Sequence, residues 1–354
     1  MSVPVFSARH VEASVSPERA LEAVRDAFVA YARGEWSMPP KVYVPAYPAG
    51  DFRAMPALGA GHAALKWVTS FPGNPEHGLP TVMGLVLLSD ASNGALRAVL
   101  DAGAVTALRT GAAAVLAAET LGRSDAETAA VVGTGVNGKA AARTFIARGH
   151  KVALYDIDPA RALEAAEELG AGVATREEAL ASDLLVTMTP GHEILLPEGS
   201  LRPGQHVSLM GADGPGKAEI AVEELLRTKI FCDDWEQAEP SGILHPEPRV
   251  RLYADDWEQS GLSGTLDPDA RVRLYADDWE QASHNGELAH AVERGLTRND
   301  VTQLGDVLAG TAPGRQSKDD ITIFDSTGLA IQDLAVALAA MEGADELDLP
   351  TLDL

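Results

Sequence analysis

The chain has 354 residues, 46% of them hydrophobic and 23% charged, which is ordinary globular composition and excludes a disordered or fibrous protein. At about 150 residues per domain, this length predicts two domains with hydrophobic cores of their own. The 28 Lys and Arg residues against 52 Asp and Glu residues give a net charge of −24, and so acidic a surface repels phosphate backbones and excludes nucleic acid as a partner.

Cysteine content and the N-terminal residues bear on the compartment. The one cysteine, Cys232, cannot form an internal disulfide, which favours a reducing cytoplasm. The first residues carry no cationic stretch followed by an apolar run, and no apolar segment approaches the ~18 residues that span a bilayer, so we expect neither secretion nor membrane insertion. Many carboxylates and few lysines are typical of a high-salt cytoplasm, where screening relieves self-repulsion.

The first third of the chain predicts a sheet-rich domain that follows an N-terminal helix. Residues 16–34 begin with a capping serine and a first-turn proline, and their apolar residues recur at helical spacing. Between residues 38 and 90, short β-like runs are separated by Pro, Gly and Asn, which predicts strands and turns. Residues 107–122 are rich in small side chains and predict a helix that packs closely against its neighbours.

From residue 127 onward, apolar strands alternate with helices. This alternation predicts a parallel sheet with helices on its faces. A strand and turn at 320–328 and an apolar helix at 329–342 follow near the end. The last twelve residues, 343–354, are acidic, and we expect them to be frayed.

A tandem duplication interrupts the second half of the chain. RVRLYADDWEQ occurs at 249–259 and again at 271–281, and KIFCDDWEQ at 229–237 is a diverged third copy. Residues 238–281 are therefore two 22-residue units, too few for a solenoid. We interpret them as a tolerated surface insertion, with 229–233 as the native strand because it directly follows a predicted helix.

A glycine-rich loop predicts a dinucleotide site. Gly133, Gly135 and Gly138 follow an apolar strand and open a helix, where they permit a tight turn, close approach of a pyrophosphate and close helix packing. The next strand ends in Asp156, whose carboxylate can accept hydrogen bonds from a ribose and disfavours a 2′-phosphate. This favours NAD over NADP, although Arg161 nearby leaves NADP open. A glycine turn without a cofactor is the alternative.

Several motifs in one order identify a family. The chain resembles the ornithine cyclodeaminase, archaeal alanine dehydrogenase and mu-crystallin family everywhere except 238–281. The resemblance implies a Rossmann NAD-binding domain, residues 123–319, inserted in a sheet-rich α+β substrate and dimerisation domain, residues 1–122 plus 320–354. Besides the glycine loop, its motifs are MPPKVYV at 38–44, LKWVTSFPGNPEHGLPTVMG at 65–84, LRTGAAA at 108–114, SLMGADGPGKAEI at 208–220 and GRQSKDDITIFDSTGLAIQDLA at 314–335.

The resemblance implies which residues meet the substrate. Lys66 matches the residue that contacts an amino-acid carboxylate, and its place between two apolar residues of a lysine-poor chain agrees, although a snorkelling lysine is the alternative. Lys41 would add a second positive charge, where cyclodeaminases more often have arginine, or would be merely solvated. Thr327 would return to the same cleft. Asp213 matches the catalytic acid/base, with a simple Asp-Gly turn as the alternative.

The resemblance also implies the cofactor contacts. Arg109 would meet the phosphates of NAD, or would form a salt bridge between domains instead. No Cys or His cluster has metal-binding spacing, so we assign no metal. The predicted cofactor-binding residues are Thr81, Arg109, Thr110, Gly133, Gly135, Val136, Asn137, Gly138, Asp156, Met188, Leu209, Met210, Gly211, Ala212 and Ser326.

The implied activity is NAD-dependent oxidative deamination of a small L-amino acid. We favour an alanine dehydrogenase, because MPPKVYV and LKWVTSFPGN are most similar to the archaeal dehydrogenase branch. Three alternatives stay open: a cyclodeaminase that converts L-ornithine to L-proline and ammonia with NAD regenerated, a ketimine reductase, and a mu-crystallin-like binding protein without turnover. The resemblance also implies a cytoplasmic homodimer joined through the sheet-rich domain.

Overall fold

The computed structural model describes residues 2–212, 217–235, 287–292, 294–345 and 347–354. Both Asp213 and the duplicated 238–281 lie outside the described residues. The strands are β1 (Ser2–Phe6), β2 (Val42–Ala46), β3 (Gly50–Gly59), β4 (His62–Ser70), β5 (Val82–Asp90), β6 (Leu96–Asp101), β7 (Ala129–Val132), β8 (Val152–Tyr155), β9 (Gly172–Val173), β10 (Leu184–Thr187), β11 (His206–Leu209), β12 (Lys229–Cys232), β13 (Val301–Gln303), β14 (Thr322–Asp325) and β15 (Thr351–Asp353). The α-helices are α1 (Ala8–Ser14), α2 (Pro17–Ala32), α3 (Ala102–Leu121), α4 (Val136–Ala147), α5 (Pro159–Leu169), α6 (Arg176–Leu180), α7 (Val222–Leu226), α8 (Leu288–Val292), α9 (Leu304–Ala309) and α10 (Ala330–Glu342).

A mixed sheet of seven strands forms the first part of the molecule, in the order β15-β1-β6-β5-β4-β3-β2. Strands β2 to β6 are antiparallel neighbours, whereas β1 runs parallel to β6. Successive residues of β4 point to opposite faces, so Lys66 is buried while Leu65 and Trp67 are exposed. The inner face packs against α10 and α3, and this packing buries the side chains that will form one end of the candidate site.

Helices α2 and α3 show how local capping sets element ends. Ser16 caps α2 by accepting a hydrogen bond from the Arg19 N–H at 3.2 Å, which confirms the predicted helix at 16–34. The predicted helix at 107–122 starts earlier, at Ala102, because Asp101 caps it by accepting from the Ala104 N–H at 2.8 Å. The side chain of Asp101 was therefore the missed start signal.

Helix α3 corrects one sequence expectation. Its 20 residues, with a mean hydropathy of 1.2, are long and apolar enough to cross a membrane by length and composition. The expectation that no apolar segment approaches the ~18 residues that span a bilayer was therefore wrong. In the structure 83% of the apolar window is buried, and α3 contacts strands of both sheets. It is the core helix between the two halves of the fold, and its run of alanines permits close packing on both sides.

The second sheet has eight parallel strands in the order β13-β12-β14-β11-β10-β7-β8-β9. From β7 the chain first adds β8 and β9 on one side and then β10 and β11 on the other. The crevice beyond the carboxyl ends of β7 and β10 is therefore a topological switch point, where α/β sheets bind ligands. This arrangement confirms the predicted fold class of a Rossmann domain combined with a sheet-rich domain.

Three strands refine the predicted organisation. Strand β12 (Lys229–Cys232) pairs with β14 and β13, in agreement with a strand predicted at 229–233, while the other two copies lie outside the described residues. Strand β14 lies between β11 and β12, so the proposed boundary at 320 is wrong for residues 322–325, whose parallel pairing places them in the Rossmann sheet. Strand β15 pairs with β1, so the expectation of a frayed end is wrong for 351–353.

Candidate active site

The glycine loop between β7 and α4 has the geometry that a pyrophosphate requires. Gly133 has φ +94°, and a Cβ there would lie 2.6 Å from the Met188 carbonyl oxygen. A Cβ on Gly138 would lie 1.8 Å from the Gly133 carbonyl oxygen, so helix and turn pack too closely for any side chain. At Gly135 a Cβ would meet nothing within 4 Å, which leaves open space for a phosphate at the N-terminus of α4.

Asp156 follows β8 with its carboxylate fixed beside that loop. One oxygen, Oδ2, accepts hydrogen bonds from the Thr134 N–H at 2.7 Å and the Thr134 hydroxyl at 2.9 Å, and Oδ1 accepts from the Asp158 N–H at 3.0 Å. Burial raises its pKa, but these hydrogen bonds outweigh burial and hold the pKa below its ordinary value. Arg161 is largely exposed, and its Nε lies 3.7 Å from Asp158 Oδ2. An ionised carboxylate at this position fits the ribose of NAD.

Other predicted cofactor residues lie at the same edge of the sheet. Asn137, Met210 and Ser326 line the cleft between the two sheets, together with Thr110, whose buried hydroxyl has no hydrogen-bond partner among the described residues. An unsatisfied hydroxyl facing a cleft fits a ligand that would complete it. Met188, Leu209, Gly211 and Ala212 are strand-end or loop positions, of which Met188 is partly buried and the others are buried. Val136 is the exposed first residue of α4.

Thr81 is not among the described residues that line the cleft. The cleft-lining residues include its neighbour Val82 instead. The Thr81 carbonyl accepts a hydrogen bond from the Phe71 N–H at 2.9 Å, which joins the end of one strand to the start of the next. Contact between Thr81 and a cofactor stays a prediction.

Lys66 lies at the opposite end of the cleft and is only 1% exposed. Its Nζ lies 2.8 Å from Oδ1 and 2.7 Å from Oδ2 of Asp333 on α10, and 3.4 Å from the Thr106 hydroxyl. Burial lowers the pKa of Lys66 to about 8, although Asp333 opposes the shift. Lys66 is therefore a buried, paired ammonium rather than a snorkelling lysine.

Lys41 reaches the same cleft from the residue before β2. Its Nζ donates a hydrogen bond to the Thr327 carbonyl at 2.6 Å. Burial of the ammonium lowers the pKa of Lys41 to about 7, and Asp233 opposes that shift. The structure thus brings together Lys41, Lys66 and Thr327, the three residues that the sequence assigned to the substrate.

Arg109 lies on α3 beside Lys66. Its Nη1 donates to the Gln332 side-chain oxygen at 3.3 Å, and its Nε lies 3.4 Å from Asp333 Oδ1. A Cβ on Gly328 would lie 2.3 Å from Nη1, so the guanidinium packs directly against this glycine. Gln332 and Asp333 belong to α10, which packs on the first sheet, so the ionic contact lies within that part of the fold. Contact with the phosphates of NAD stays a prediction.

Sequence reasoning missed Asp333 and Arg53. Asp333 is a lone carboxylate in the apolar stretch of α10, and an unpaired acid there would be costly, which is the signal that could have revealed it. Arg53 lines the cleft, with Nε 2.6 Å from Asp51 Oδ1 and its guanidinium carbon 5.3 Å from the centroid of Tyr43. The sequence gives no signal that relates Arg53 on β3 to Lys66 on β4, because their places in one cleft depend on how β3 and β4 pair.

Asp233, the first acid of KIFCDDWEQ, holds the turn after β14. Its carboxylate accepts hydrogen bonds from the Ser326 hydroxyl at 3.0 Å and from the Thr327 and Gly328 N–H groups at 2.8 Å. Burial raises the pKa of Asp233, while Lys41 lowers it. The diverged repeat copy therefore contributes both a strand and a side chain that shapes the cleft.

Comparison with known proteins identifies the family. The sequence model of the ornithine cyclodeaminase/mu-crystallin family matches residues 3–258 and 254–347, two matches that overlap within the first duplicated unit. The chain belongs to this family. It is 38% identical to the alanine dehydrogenase of Archaeoglobus fulgidus over 97% of this chain and 96% of that protein.

Solved structures of the family agree. An archaeal alanine dehydrogenase dimer with bound NAD superposes with a TM-score of 0.82 at 36% identity, covering 100% of both chains. The Δ1-pyrroline-2-carboxylate reductase of Thermococcus litoralis, solved with NADH and L-proline, has a TM-score of 0.80 at 25% identity, covering 99% of this chain and 100% of that one. The predicted family and fold are confirmed.

Four cations and three carboxylates lie close together at one end of this chain's cleft. Asp51, Asp233 and Asp333 neighbour the cations but are not among the described residues that line the cleft. The arrangement therefore offers a small carboxylate anion several positive groups held in fixed positions. The cations are Lys41, Arg53, Lys66 and Arg109.

Proposed function

We propose that the protein is an alanine dehydrogenase, which oxidises L-alanine to pyruvate and ammonia and reduces NAD. That it is an NAD-dependent enzyme of amino-acid or imine metabolism, as predicted, is confirmed by its relatives. The observation that carries the substrate proposal is the composition of the cleft: among the described residues that line it there is no Asp or Glu. A second ammonium group, such as that of ornithine, would find no carboxylate partner among these described lining residues.

The cations would orient the substrate through its carboxylate. Lys66 and Lys41 would hold the two oxygens, with Arg53 adding charge from the neighbouring strand. Met55 and Val68, both buried, line the same cleft and would pack against a short apolar side chain. When bound, NAD accepts the hydride that leaves the substrate Cα. Holding that carbon in one orientation can lower a barrier by ~7–11 kcal/mol.

Asp213 would then serve as the acid/base of the reaction. It follows Ala212, the residue after the strand-end segment that carries the cleft-lining Met210. A carboxylate there would take a proton from the substrate ammonium and release it to solvent, then take a proton from the attacking water and return it to the nitrogen that departs as ammonia. This role rests on the sequence motif and the position of the flanking strand.

A direct assay distinguishes the candidate activities. Purified protein is incubated with NAD and either L-alanine or L-ornithine, NADH is followed at 340 nm, and proline is measured by chromatography. We expect NADH and pyruvate from alanine and no proline from ornithine. Proline formed without NADH accumulation would instead identify a cyclodeaminase. NAD binding with no turnover of either amino acid, or of a cyclic imine with NADH, would support a mu-crystallin-like role.

The outer face of the first sheet supports the proposal that the enzyme is a homodimer. Phe52 and Trp67 stack there with centroids 5.7 Å apart, and Trp67 pairs in register with Leu85. A large exposed apolar face is typical of a protein interface, and the archaeal relative is a dimer. The exposed apolar side chains of this face are Val42, Val44, Leu58, Leu65, Trp67, Met83 and Leu85.

A charged residue in that face tests the dimer. Trp67→Glu should convert a dimer to a monomer in light scattering coupled to gel filtration, because a charge would be buried without a partner. Leu163→Glu is the matched control, since Leu163 is 54% exposed on α5, away from this sheet. A parent protein that is already monomeric, or a Trp67→Glu variant that stays dimeric, would contradict the proposed interface.

A further inference from the structure

Glu219 is a fully buried glutamate, 0% exposed, to which the proposed mechanism gives no role. Oε1 accepts hydrogen bonds from the Thr189 N–H at 3.1 Å and the Thr189 hydroxyl at 2.5 Å. Oε2 accepts from the Gly211 N–H at 3.0 Å and the Thr187 hydroxyl at 2.5 Å. Burial raises the pKa of Glu219, and these donors oppose the shift. Each oxygen therefore receives one backbone N–H and one hydroxyl, which suits a carboxylate.

The donors to Glu219 come from both loops at the carboxyl ends of β10 and β11. Thr187 and Thr189 flank Met188, whose carbonyl packs against the glycine loop, and Gly211 follows the cleft-lining Met210. A Cβ on Gly211 would lie 2.5 Å from Glu219 Cδ, so this loop fits directly over the carboxylate. One side chain thus fixes the spacing between two loops that border the cofactor cleft.

The backbone of Glu219 is fixed as firmly as its side chain. Its N–H donates to Glu287 Oε1 at 2.5 Å, and its carbonyl accepts from the Leu195 and Leu196 N–H groups at 2.7 and 3.0 Å. The preceding residue, Ala218, donates to the Gly191 carbonyl at 2.8 Å. These contacts fix the backbone of Ala218 and Glu219, in addition to the hydrogen bond that the Glu219 carboxylate accepts from the Gly211 N–H.

We propose that Glu219 is a positioning residue for hydride transfer: its carboxylate sets residues 187–189 and 209–212 at the spacing that hydride transfer requires. The proposal rests on the proposed dehydrogenase function. A glutamine cannot replace Glu219, because its side-chain NH₂ would face the N–H of either Thr189 or Gly211, and a backbone N–H cannot turn away. Small displacements at a reacting centre can lower rates by ~10²-fold.

The test compares Glu219→Gln with the isosteric variants Thr187→Val and Thr189→Val. For each variant, kcat is expressed per NADH-binding site measured by fluorescence titration, together with the KM for NAD and L-alanine. Glu219→Gln should lower kcat ~10–100-fold while the Kd for NADH changes by less than about threefold. Each valine variant should lower kcat by roughly 3–10-fold, because one hydroxyl donor to the carboxylate is lost and the backbone N–H donors to it remain. Thr189→Val also removes the acceptor of the Gly191 N–H at 3.1 Å, so Thr187→Val is the cleaner of the two. Thr144→Val is the control, since its buried hydroxyl bonds only its own helix, at the Ala140 carbonyl, among the described residues.

The outcomes separate a positioning role from a structural one. The proposal would be overturned if Glu219→Gln has the parent's kcat per NADH-binding site. A lower total rate that is fully explained by fewer binding sites is such a result. If Glu219→Gln does not fold, Thr187→Val and Thr189→Val decide, and parental kcat in both would overturn it. If the parent oxidises no alanine, the proposed function fails by itself, and the same variants are compared on reduction of 1-pyrroline-2-carboxylate or cyclisation of ornithine, whichever the parent catalyses.

Discussion

The two ends of the cleft are built in different ways. The end proposed to hold the nucleotide consists of a short continuous stretch, Gly133 to Gly138, plus Asp156 after the next strand, and close backbone contacts explain why Gly133 and Gly138 carry no side chain. The substrate end gathers charged side chains from separate elements, and each depends on partners far away in sequence, such as Lys66 on Asp333. The first end is a local property of the chain, whereas the second exists only when both sheets and α10 are assembled.

This difference has energetic consequences. The glycine loop packs against backbone groups, the Met188 carbonyl beside Gly133 and the Gly133 carbonyl beside Gly138, and needs no buried ion pair. Buried ions are stable only in pairs, since removing one partner leaves an uncompensated charge that costs about 3–5 kcal/mol. Mutations at the substrate end should therefore affect turnover and stability together, and mutations at the nucleotide end should affect cofactor choice alone.

The largest expected effect comes from breaking the substrate end. Lys66→Met keeps the bulk of the stem but removes the charge, so kcat/KM for alanine should fall by ~10²–10³ while the Kd for NADH stays near that of the parent. Steady-state rates and fluorescence titration measure both. Lys151→Met, on an exposed lysine, is the control. Lys66→Met/Asp333→Asn should recover thermal stability without recovering activity, and normal turnover in Lys66→Met would remove this lysine from the site.

The nucleotide end is tested by cofactor choice. Asp156→Ala removes a ribose acceptor and a negative charge together, so the ratio of NADPH to NADH affinity should rise at least ~10-fold. Fluorescence titration with each reduced cofactor measures the change. Asp158→Ala is the control: it removes a neighbouring negative charge from the residue that caps α5, and it should change the ratio of NADPH to NADH affinity less. Equal weakening of both cofactors by Asp156→Ala would contradict the ribose assignment.

The pKa values of the substrate end predict a pH dependence. Burial places the pKa of Lys41 near 7 and that of Lys66 near 8, both below the ordinary lysine value of 10.5. Both lysines therefore lose charge as the pH rises through this range, and binding of a carboxylate should weaken roughly 3–10-fold between pH 6.5 and 9. Propionate is a suitable competitive inhibitor because it has no amine. An inhibition constant independent of pH would show that neither ammonium binds the carboxylate.

The smallest effect is expected from the duplication. Strand β12 and Asp233 already occupy the sheet position and hold the turn after β14. Deleting 238–281, which joins Gln237 to Ala282, should leave NADH affinity and kcat essentially unchanged, with equal or higher thermal stability. Calorimetry and the alanine assay measure this. Loss of folding or of the dimer would show that the duplicated units are structural.

What the sequence could predict follows the same division. The Rossmann strands, the glycine loop and α2 carry local signals, namely periodicity, capping and glycine spacing, so they were predicted correctly. Lys66 was found through the family resemblance, but its partner Asp333 was not, because their ion pair depends on the docking of α10 against β4. The position of β14 was also missed, since local sequence determines that a strand forms but not where it enters a sheet. Glu219 had no local signal, because its donors lie 8 to 32 residues away.

Transfer of isotope from substrate to cofactor tests the central claim most directly. L-[2-²H]alanine and NAD are mixed with the purified enzyme, and the reduced cofactor and the 2-oxo acid are analysed by mass spectrometry. The account predicts deuterium in the reduced cofactor, none in pyruvate, and no transfer in Lys66→Met on the same timescale. Absence of deuterated cofactor with L-[2-²H]alanine, together with proline that retains the label from L-[2-²H]ornithine, would contradict it.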